Sequence, residues 1–436
     1  MSEPLLSVEA ARERVLAALG GPLPTETLAP EVALGHVLAA PVVATTDLPP
    51  WDNSAMDGYA VRSADLVNAA EDRPIHLRII GEVPAGGLAD RAVEPGTAIR
   101  IATGAPLPPG ADAVVPVEST TPLSADGAAI GPRGRDATGP LPAGCAVLVV
   151  VGPGNAVRRR GEDVRAGATV LEAGMPLSPA AVGLAAGAGV AVVLVHRRPR
   201  IAVLATGDEI RGPGEPLGPA GIPDANGPGL RAMVTAAGAI AIDLGIARDD
   251  LDDVLTRLRQ GIAEADAVIV AGGVSVGPYD VVKQAFEAVG RVDLWRVAVQ
   301  PGKPFAFGVA PGGVVLFGLP GNPVSGFVTF ELFVRPAIRR LAGHRELLRE
   351  IDLGVLVEPA GKAPGRRAFL RVVAERDEAG RAVRDATGRL RVRLAGGQGS
   401  HVLSALAAAE ALAVVPESVD SLPAGAPVEL IRLDRP

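Results

Sequence analysis

The sequence predicts a multidomain protein of α/β plus β class, with a central α/β unit between β-rich ones. Three observations carry this expectation. The chain has 436 residues, which at roughly 150 residues per domain is about three domains. Residues 200–341 alternate apolar strand runs with helical periodicity, as a parallel-rich sheet with helices on both faces requires. Residues 45–160, and those beyond 348, instead carry short apolar runs cut by Pro and Gly, the texture of small β-rich units.

Composition excludes several classes. A hydrophobic share of 48% is too high for an intrinsically disordered chain. The 54 Gly and 40 Pro show no G-X-Y period, so they mark turns rather than collagen. A net charge of −7 argues against nucleic acid as a partner. The single cysteine, Cys145, excludes disulfide frameworks, cysteine zinc sites and iron–sulfur clusters. Lysine occurs only at Lys283, Lys303 and Lys362, so Arg supplies the other 39 of 42 basic residues. Residues 1–6 lack the basic and apolar regions of a secretory signal, so a cytoplasmic protein is expected. Residues 173–195 are uncharged and long enough to span a bilayer. Pro176, Pro179, Gly183, Gly187 and Gly189 interrupt them, so the expectation is a short helix after Pro179, a turn and a strand at 190–195, with no membrane span.

The elements follow in order. Residues 7–19 predict an amphipathic helix, with Ser7 as cap, Glu9 at its positive end and Val8, Ala11, Val15, Leu16 and Leu19 on one face. Residues 121–144 predict a loop or hairpin excursion. In the α/β stretch, strands are expected at 201–205, 239–244, 267–271, 295–299 and 314–317. Helices are expected at 229–237, 251–263, from about 280, and over 323–341. The remaining strands are expected at 351–357, 367–373, 390–394 and 412–415.

Ligands of an open α/β sheet bind beyond the carboxyl ends of its strands. Three such ends carry Gly-rich polar turns: Thr206-Gly207-Asp208-Glu209, Gly272-Gly273-Val274-Ser275-Val276-Gly277 and Leu319-Pro320-Gly321-Asn322-Pro323. Glycine lets the backbone approach a phosphate, and the N–H groups of a following helix favour an anion. Each turn alone is also ordinary turn chemistry. Asp208, Glu209, Asp249 and Asp280 cluster on the same edge. Carboxylates that close repel unless a cation lies between them, and Mg²⁺ bridging to a phosphate would relieve that repulsion. Asp249 and Asp280 also stand where helix caps belong, and both readings stay open. Gln300-Pro301-Gly302-Lys303-Pro304 places a cation on a rigid turn but lacks the Ser/Thr and first Gly of a P-loop. Arg158, Arg159 and Arg160 followed by Gly161-Glu162-Asp163 form either a solvated loop or an anion clamp. Asp52-Asn53-Ser54-Ala55-Met56-Asp57-Gly58-Tyr59-Ala60 reads as an Asx-turn loop. HExxH, G-x-S-x-G and G-x-G-x-x-G are absent. The five His residues (His36, His76, His196, His344, His401) form no ligand spacing and read as structural or surface groups.

Together, the 52–60 and 158–163 runs, Arg100-Ile101-Ala102-Thr103-Gly104-Ala105-Pro106, the three turns, the 301–304 turn and Gln398-Gly399-Ser400-His401 resemble the molybdopterin molybdenumtransferases, the MoeA family that includes the gephyrin E domain. The resemblance runs in order from about residue 7 to residue 415. It implies an elongated four-domain homodimer: a split first domain (1–46 and 160–198), a β-rich second domain inserted in it (47–159), a molybdopterin- and nucleotide-binding α/β domain (199–345) and a small C-terminal β-barrel (346–436). The implied reaction joins molybdate to adenylated molybdopterin, with Mg²⁺ assisting and AMP released. The implied catalytic positions are Asp57, Thr103, Asp163, Glu209, Asp249, Asp280 and Lys303, with Glu209, Asp249 and Asp280 on the metal. Asp57 and Asp163 would come from the partner subunit or a neighbouring domain. The implied binding positions are Thr206, Gly207, Asp208, Gly272, Gly273, Ser275, Arg296, Gln300, Gly302, Pro320, Gly321, Asn322, Pro323 and Ser400. Two of these depart from a common Lys pattern. Arg296 keeps the charge, whereas Gln300 loses it, which puts anion binding at position 300 in doubt. The α/β domain is shared with the molybdopterin adenylyltransferases, and gephyrin's E domain also serves as a scaffold, so both remain alternative readings. Further partners implied are the adenylyltransferase and other cofactor-biosynthesis proteins; neither nucleic acid nor membrane is expected.

Overall fold

A six-stranded sheet organises the middle of the chain. The computed structural model describes residues 5–134, 139–273 and 281–433. The sheet runs in the order Ile240–Ala247, Arg200–Thr206, Ala267–Ala271, Val315–Leu319, Pro304–Val309, Arg291–Arg296. The first four strands are parallel, and the last two are antiparallel. Period-2 alternation sends Ile201, Val203, Ile269 and Phe317 to one face, and Ala202, Leu204, Val268 and Leu316 to the other. Helix Asn226–Ala236 covers the first face, whereas helices Leu251–Glu264 and Val281–Val289 cover the second.

From Arg200–Thr206 the chain passes outward to Ile240–Ala247, then crosses back to Ala267–Ala271 on the other side of the starting strand. The two connecting helices therefore leave on opposite faces. A crevice opens beyond the carboxyl ends of the strands where this reversal occurs.

The structure differs from the sequence expectations at three places here. The run 295–299 does not form one strand. Arg291–Arg296 ends on the sheet edge, while Val299–Gln300 pairs in parallel with Arg367 and Ala368 of the next unit. Strand Pro304–Val309 was not expected, because Pro argues against a strand unless it is the first residue, which Pro304 is. The expected single helix over 323–341 is continuous but changes pitch. Phe330–Val334 is a π turn between helices Pro323–Thr329 and Arg335–Leu341, and the Arg335 N–H reaches back five residues to the Phe330 carbonyl. Pro336 has no N–H to donate and clashes with a regular α pitch, so the wider turn accommodates it.

Helix Val8–Ala17 is capped by the Ser7 side chain, which accepts the Ala10 N–H at 3.1 Å. Val8, Ala11, Val15 and Leu19 enter the core of the α/β unit. This helix thus packs with the central sheet rather than with the rest of segment 1–46. The following residues pair elsewhere: Thr25–Leu28 with Val193–His196, and Val42–Val43 with Thr169–Leu171. Helix Pro179–Gly187, capped by Ser178, closes a small core on Leu38, Val42, Leu177 and Val195. Among the described residues no helix is long and apolar enough to cross a membrane.

Between these paired segments lies a six-stranded sheet. Its order is Ala113–Pro116, Gly58–Val61, Thr97–Ile101, Ile75–Val83, Gly144–Val147, Thr120–Leu123. Both faces are buried, one by Tyr59, Leu77, Val115 and Cys145, the other by Ala60, Val83, Ile99 and Val114. At the C-terminal end, Arg367–Ala374, Leu390–Leu394, Ile351–Leu356, Pro427–Arg432 and Ala411–Val415 pair in that sequence, and the last pairs back with the first. The result is a closed five-stranded barrel around Leu370, Val392, Ala413 and Leu430. Its final strand, Pro427–Arg432, was not expected from sequence.

His344 follows helix Arg335–Leu341, a position that ordinarily favours imidazolium. Burial together with Arg339 and Arg335 outweighs this and lowers its pKa to about 4. The folded state then holds His344 neutral, while the unfolded chain protonates near pH 6.5. Stability from this group is complete above about 6.5 and falls as pH drops towards 4. His344→Phe is expected to remove part of the acid-side slope of melting temperature between those pH values, measured by thermal unfolding. An unchanged slope would contradict this account.

Candidate functional site

The crevice at the strand reversal is a cleft of about 1120 Å³. Its floor is built from three turns. Gly207 N–H donates to the Ala247 carbonyl at 3.2 Å, and Gly272 N–H to the Leu319 carbonyl at 3.1 Å, which ties neighbouring strand ends together. Gly272 has φ +102°, and a Cβ there would lie 2.7 Å from the Thr206 carbonyl oxygen. Only glycine allows these two turns to meet. The buried Thr206 hydroxyl donates to the Ala271 carbonyl at 3.3 Å. On the third turn, the Asn226 amide donates to the Gly321 carbonyl at 2.7 Å.

Most of the residues singled out from sequence on the sheet edge line this cleft: Thr206, Gly207, Glu209, Asp249, Gly272, Gly273, Pro320, Gly321, Asn322 and Pro323. Asp280 and Ser275 lie outside the described residues. Asp208 faces the opposite side of the edge but is coupled to Asp249 through the backbone. Asp249 N–H donates to the Asp208 carboxylate at 3.2 Å, and Asp208 N–H approaches the Asp249 carboxylate at 3.4 Å.

The two readings of the acidic residues separate at helix Leu251–Glu264. Its cap is Asp250, whose carboxylate accepts the Asp253 N–H at 3.0 Å. Asp249 is therefore released from capping and faces the cleft. Partial burial, then the like charges of Asp208 and Glu209, push its carboxyl above the usual range. Carboxylates disposed in this way fit a hard divalent cation that takes its other ligands from phosphate and water. Among the described residues no group of three or more His, Cys, Asp or Glu side chains is arranged to hold a metal alone.

The barrel supplies the far wall. His401 and Leu403 line the cleft, and the Ser400 carbonyl accepts the Val324 N–H at 3.1 Å. Beneath this loop lies Arg371, 1% exposed, whose guanidinium donates to the Gly397 and Gly399 carbonyls at 3.3 and 3.2 Å. Gln398 clasps the Arg371 backbone from both sides. Arg296, Gln300, Gly302 and Lys303 are not among the residues that line the cleft; of this stretch Pro304 does. Gly302, with φ +111°, packs its Cα side against Thr329.

Asp57, Thr103 and Asp163 are not in this cleft; Asp57 and Thr103 belong to the β-rich unit, and Asp163 to the segment that leaves it. There the sequence motifs do converge. Val157–Arg158 pairs with Asn53–Ser54, and the Ser54 backbone bonds with Gly104 and Ala105. The Asp57 carboxylate accepts both the Thr103 N–H at 2.7 Å and its hydroxyl at 2.8 Å, which holds the carboxyl below its usual range. Arg159 pairs with Asp52 at 2.7 Å, and Arg160 with Asp47. Asp163 N–H donates to the Leu48 carbonyl, 3.1 Å away, next to this group.

Sequence reasoning missed Asn226, Gln284, His401 and the Ile222–Pro223 strand as lining groups. Asn226 carried no motif, and its use is visible only once Gly321 lies opposite. His401 stood in a quoted motif but was set aside for lack of ligand spacing.

Comparison with known proteins gives three family matches. Residues 6–189 match the MoeA N-terminal region (domain I and II), residues 202–340 a probable molybdopterin binding domain, and residues 354–433 the MoeA C-terminal region (domain IV). A protein of Mycobacterium tuberculosis named molybdopterin molybdenumtransferase 2 is 39% identical over 404 residues, 91% of this chain and 92% of the relative. The molybdopterin molybdenumtransferase of Haemophilus influenzae is 34% identical over 427 residues, 98% of each. A crystal structure of a molybdopterin biosynthesis MoeA protein from Pyrococcus horikoshii superposes with a TM-score of 0.76 at 28% identity, covering 99% of this chain and 100% of the other.

The split between Asp249 and Asp250 is directly measurable. In Mg²⁺ titrations followed calorimetrically, with a soluble pyrophosphate present, Asp249→Asn is expected to weaken binding about tenfold or more. Asp250→Asn is expected to leave affinity intact and lower stability by about 1 kcal/mol through the lost cap. Equal Mg²⁺ affinity in both variants would reject the assignment.

Proposed function

The chain belongs to the molybdopterin molybdenumtransferase (MoeA) family, and from that premise we propose how its cleft inserts molybdenum into molybdopterin during cofactor biosynthesis. The substrates are adenylated molybdopterin and molybdate. Water cleaves the phosphoanhydride of the first and AMP leaves; the two dithiolene sulfurs bind molybdenum as one molybdate oxygen departs as water with both thiol protons. The observation that carries this reading is the meeting of three Gly-bearing turns and an uncapped Asp249 in one cleft at the strand reversal.

Two anions must be brought together, because molybdate is a dianion and the other ligand carries a pyrophosphate. The N–H groups of Glu209, Gly273, Gly321 and Asn322 on these turns receive phosphate oxygens, whereas those of Gly207 and Gly272 hold the strand ends together. Asp249 and Glu209, with Asp280, would hold Mg²⁺, which when bound offsets charge on the leaving phosphate. Asn226 keeps the 320–323 turn in place. Arg296 and Lys303, close in sequence to the lining residue Pro304, raise the local positive potential, and Ser400 and its loop close the far side. Release of product at a cytoplasmic enzyme completes the reading.

Asp57 and Thr103 in the inserted unit, and Asp163 just beyond it, lie outside this cleft. We place them at the partner subunit's cleft in a homodimer, so that each site combines one α/β edge with one inserted unit. Thr103 holds the Asp57 carboxylate ionised and oriented, suited to positioning molybdate's counter-charge or an attacking oxygen.

Purified protein given adenylated molybdopterin, molybdate and Mg²⁺ is expected to release AMP. Asp249→Ala should slow release about 10²–10³-fold, the range for losing one preorganised electrostatic group. No AMP from the wild type would reject the reading. Asp57→Ala and Asp249→Ala, each inactive alone, should recover about a quarter of the wild-type rate after mixing and subunit exchange, since each heterodimer keeps one intact site. No recovery on exchange would remove the shared-site arrangement.

A further inference from the structure

The seam between the α/β unit and the barrel gives residue 300 a role of its own. Residues 297–300 are held on two sides. Ala298 N–H donates to the Leu6 carbonyl at 2.8 Å, and the Ala298 carbonyl accepts the Arg367 N–H at 2.8 Å. Val299 and Gln300 then run beside Arg367 and Ala368 of the barrel. The Gln300 side-chain oxygen extends this contact by accepting the Ala363 N–H at 2.9 Å. Ala363 sits in the turn that leads into barrel strand Arg367–Ala374. The same barrel presents His401 and Leu403 to the cleft.

We propose that Gln300 is a positioning residue whose carboxamide oxygen, rather than any charge, docks the barrel on the α/β unit and so sets the width of the cleft. The inference rests on the cleft being the substrate site. The chemistry of the contact makes it specific. An ammonium has three donors and no acceptor, so Lys at 300 cannot receive the Ala363 N–H, whereas Glu can. Arg367 bridges Glu9 and Glu417, the latter in the turn after the neighbouring strand Ala411–Val415, so the seam survives loss of the Gln300 bond while its 363 turn loosens.

This predicts an order opposite to that of an anion-contact position. Docking ranks Gln and Glu above Ala and Lys; contact with molybdate or phosphate ranks Lys above Gln and Glu last. The test is limited trypsin digestion of the full-length protein, following cleavage after Lys362 and Arg366, beside kcat and KM for AMP release. Gln300→Lys and Gln300→Ala are expected to be cut about three- to tenfold faster than wild type, as loss of one net hydrogen bond implies. Gln300→Glu should be cut near the wild-type rate and keep more activity than Gln300→Lys. The inference is overturned if Gln300→Lys is cut as slowly as wild type, or if it lowers KM for molybdate. Proteolysis does not depend on the assigned reaction, so an inactive wild type would reject the reaction while still deciding the docking.

Discussion

The cleft depends on backbone approaching backbone at Gly272. Its N–H reaches the carboxyl end of Val315–Leu319, while its bare Cα admits the Thr206 turn. A side chain of any size would push the strand ends apart and turn a shared anion-binding floor into separate loops. The approach is in turn a product of strand order. Arg200–Thr206 has neighbours reached by helices on opposite faces, so no helix crosses the opening between them. Topology makes the space, and glycine makes its floor continuous.

Electrostatics then divides labour between adjacent acids. Asp250 spends its oxygens on the helix N-terminus, and Asp249, one residue earlier, is left facing Glu209 across the opening. The resulting concentration of negative charge is unfavourable, as the raised carboxyl of Asp249 records. A binding site can carry such a local conflict because the cores on both sheet faces, from Phe317 and Phe330 to Leu258 and Phe286, supply the stability it forgoes.

Much of this was legible in the sequence. Alternation and helical periodicity marked Ala267–Ala271 and Leu251–Glu264 almost to the residue, because both are long, regular and bounded by charge or glycine. The glycine turns announced the cleft. What escaped reading depended on non-local partners. Val299–Gln300 looks continuous with the strand before it, and only the barrel draws it away. Pro304 hid a strand whose N–H it does not need. Pro336 marks an irregularity inside the expected helix, but the sequence does not choose between a kink, a break and the widened turn found at Phe330–Val334. Whether Asp249 caps the following helix was undecidable from spacing, since Asp249 and Asp250 are equally placed until the Asp253 N–H selects Asp250.

The inserted β-rich unit enters and leaves through one pair of residues. Leu48 N–H donates to the Val164 carbonyl at 2.7 Å, and Val164 N–H returns to the Leu48 carbonyl at 3.1 Å. A segment whose ends are already stapled by the host fold adds little closure entropy, however long it grows. Such a doorway lets the guest module lengthen, shrink or be exchanged through evolution without disturbing the frame that carries it.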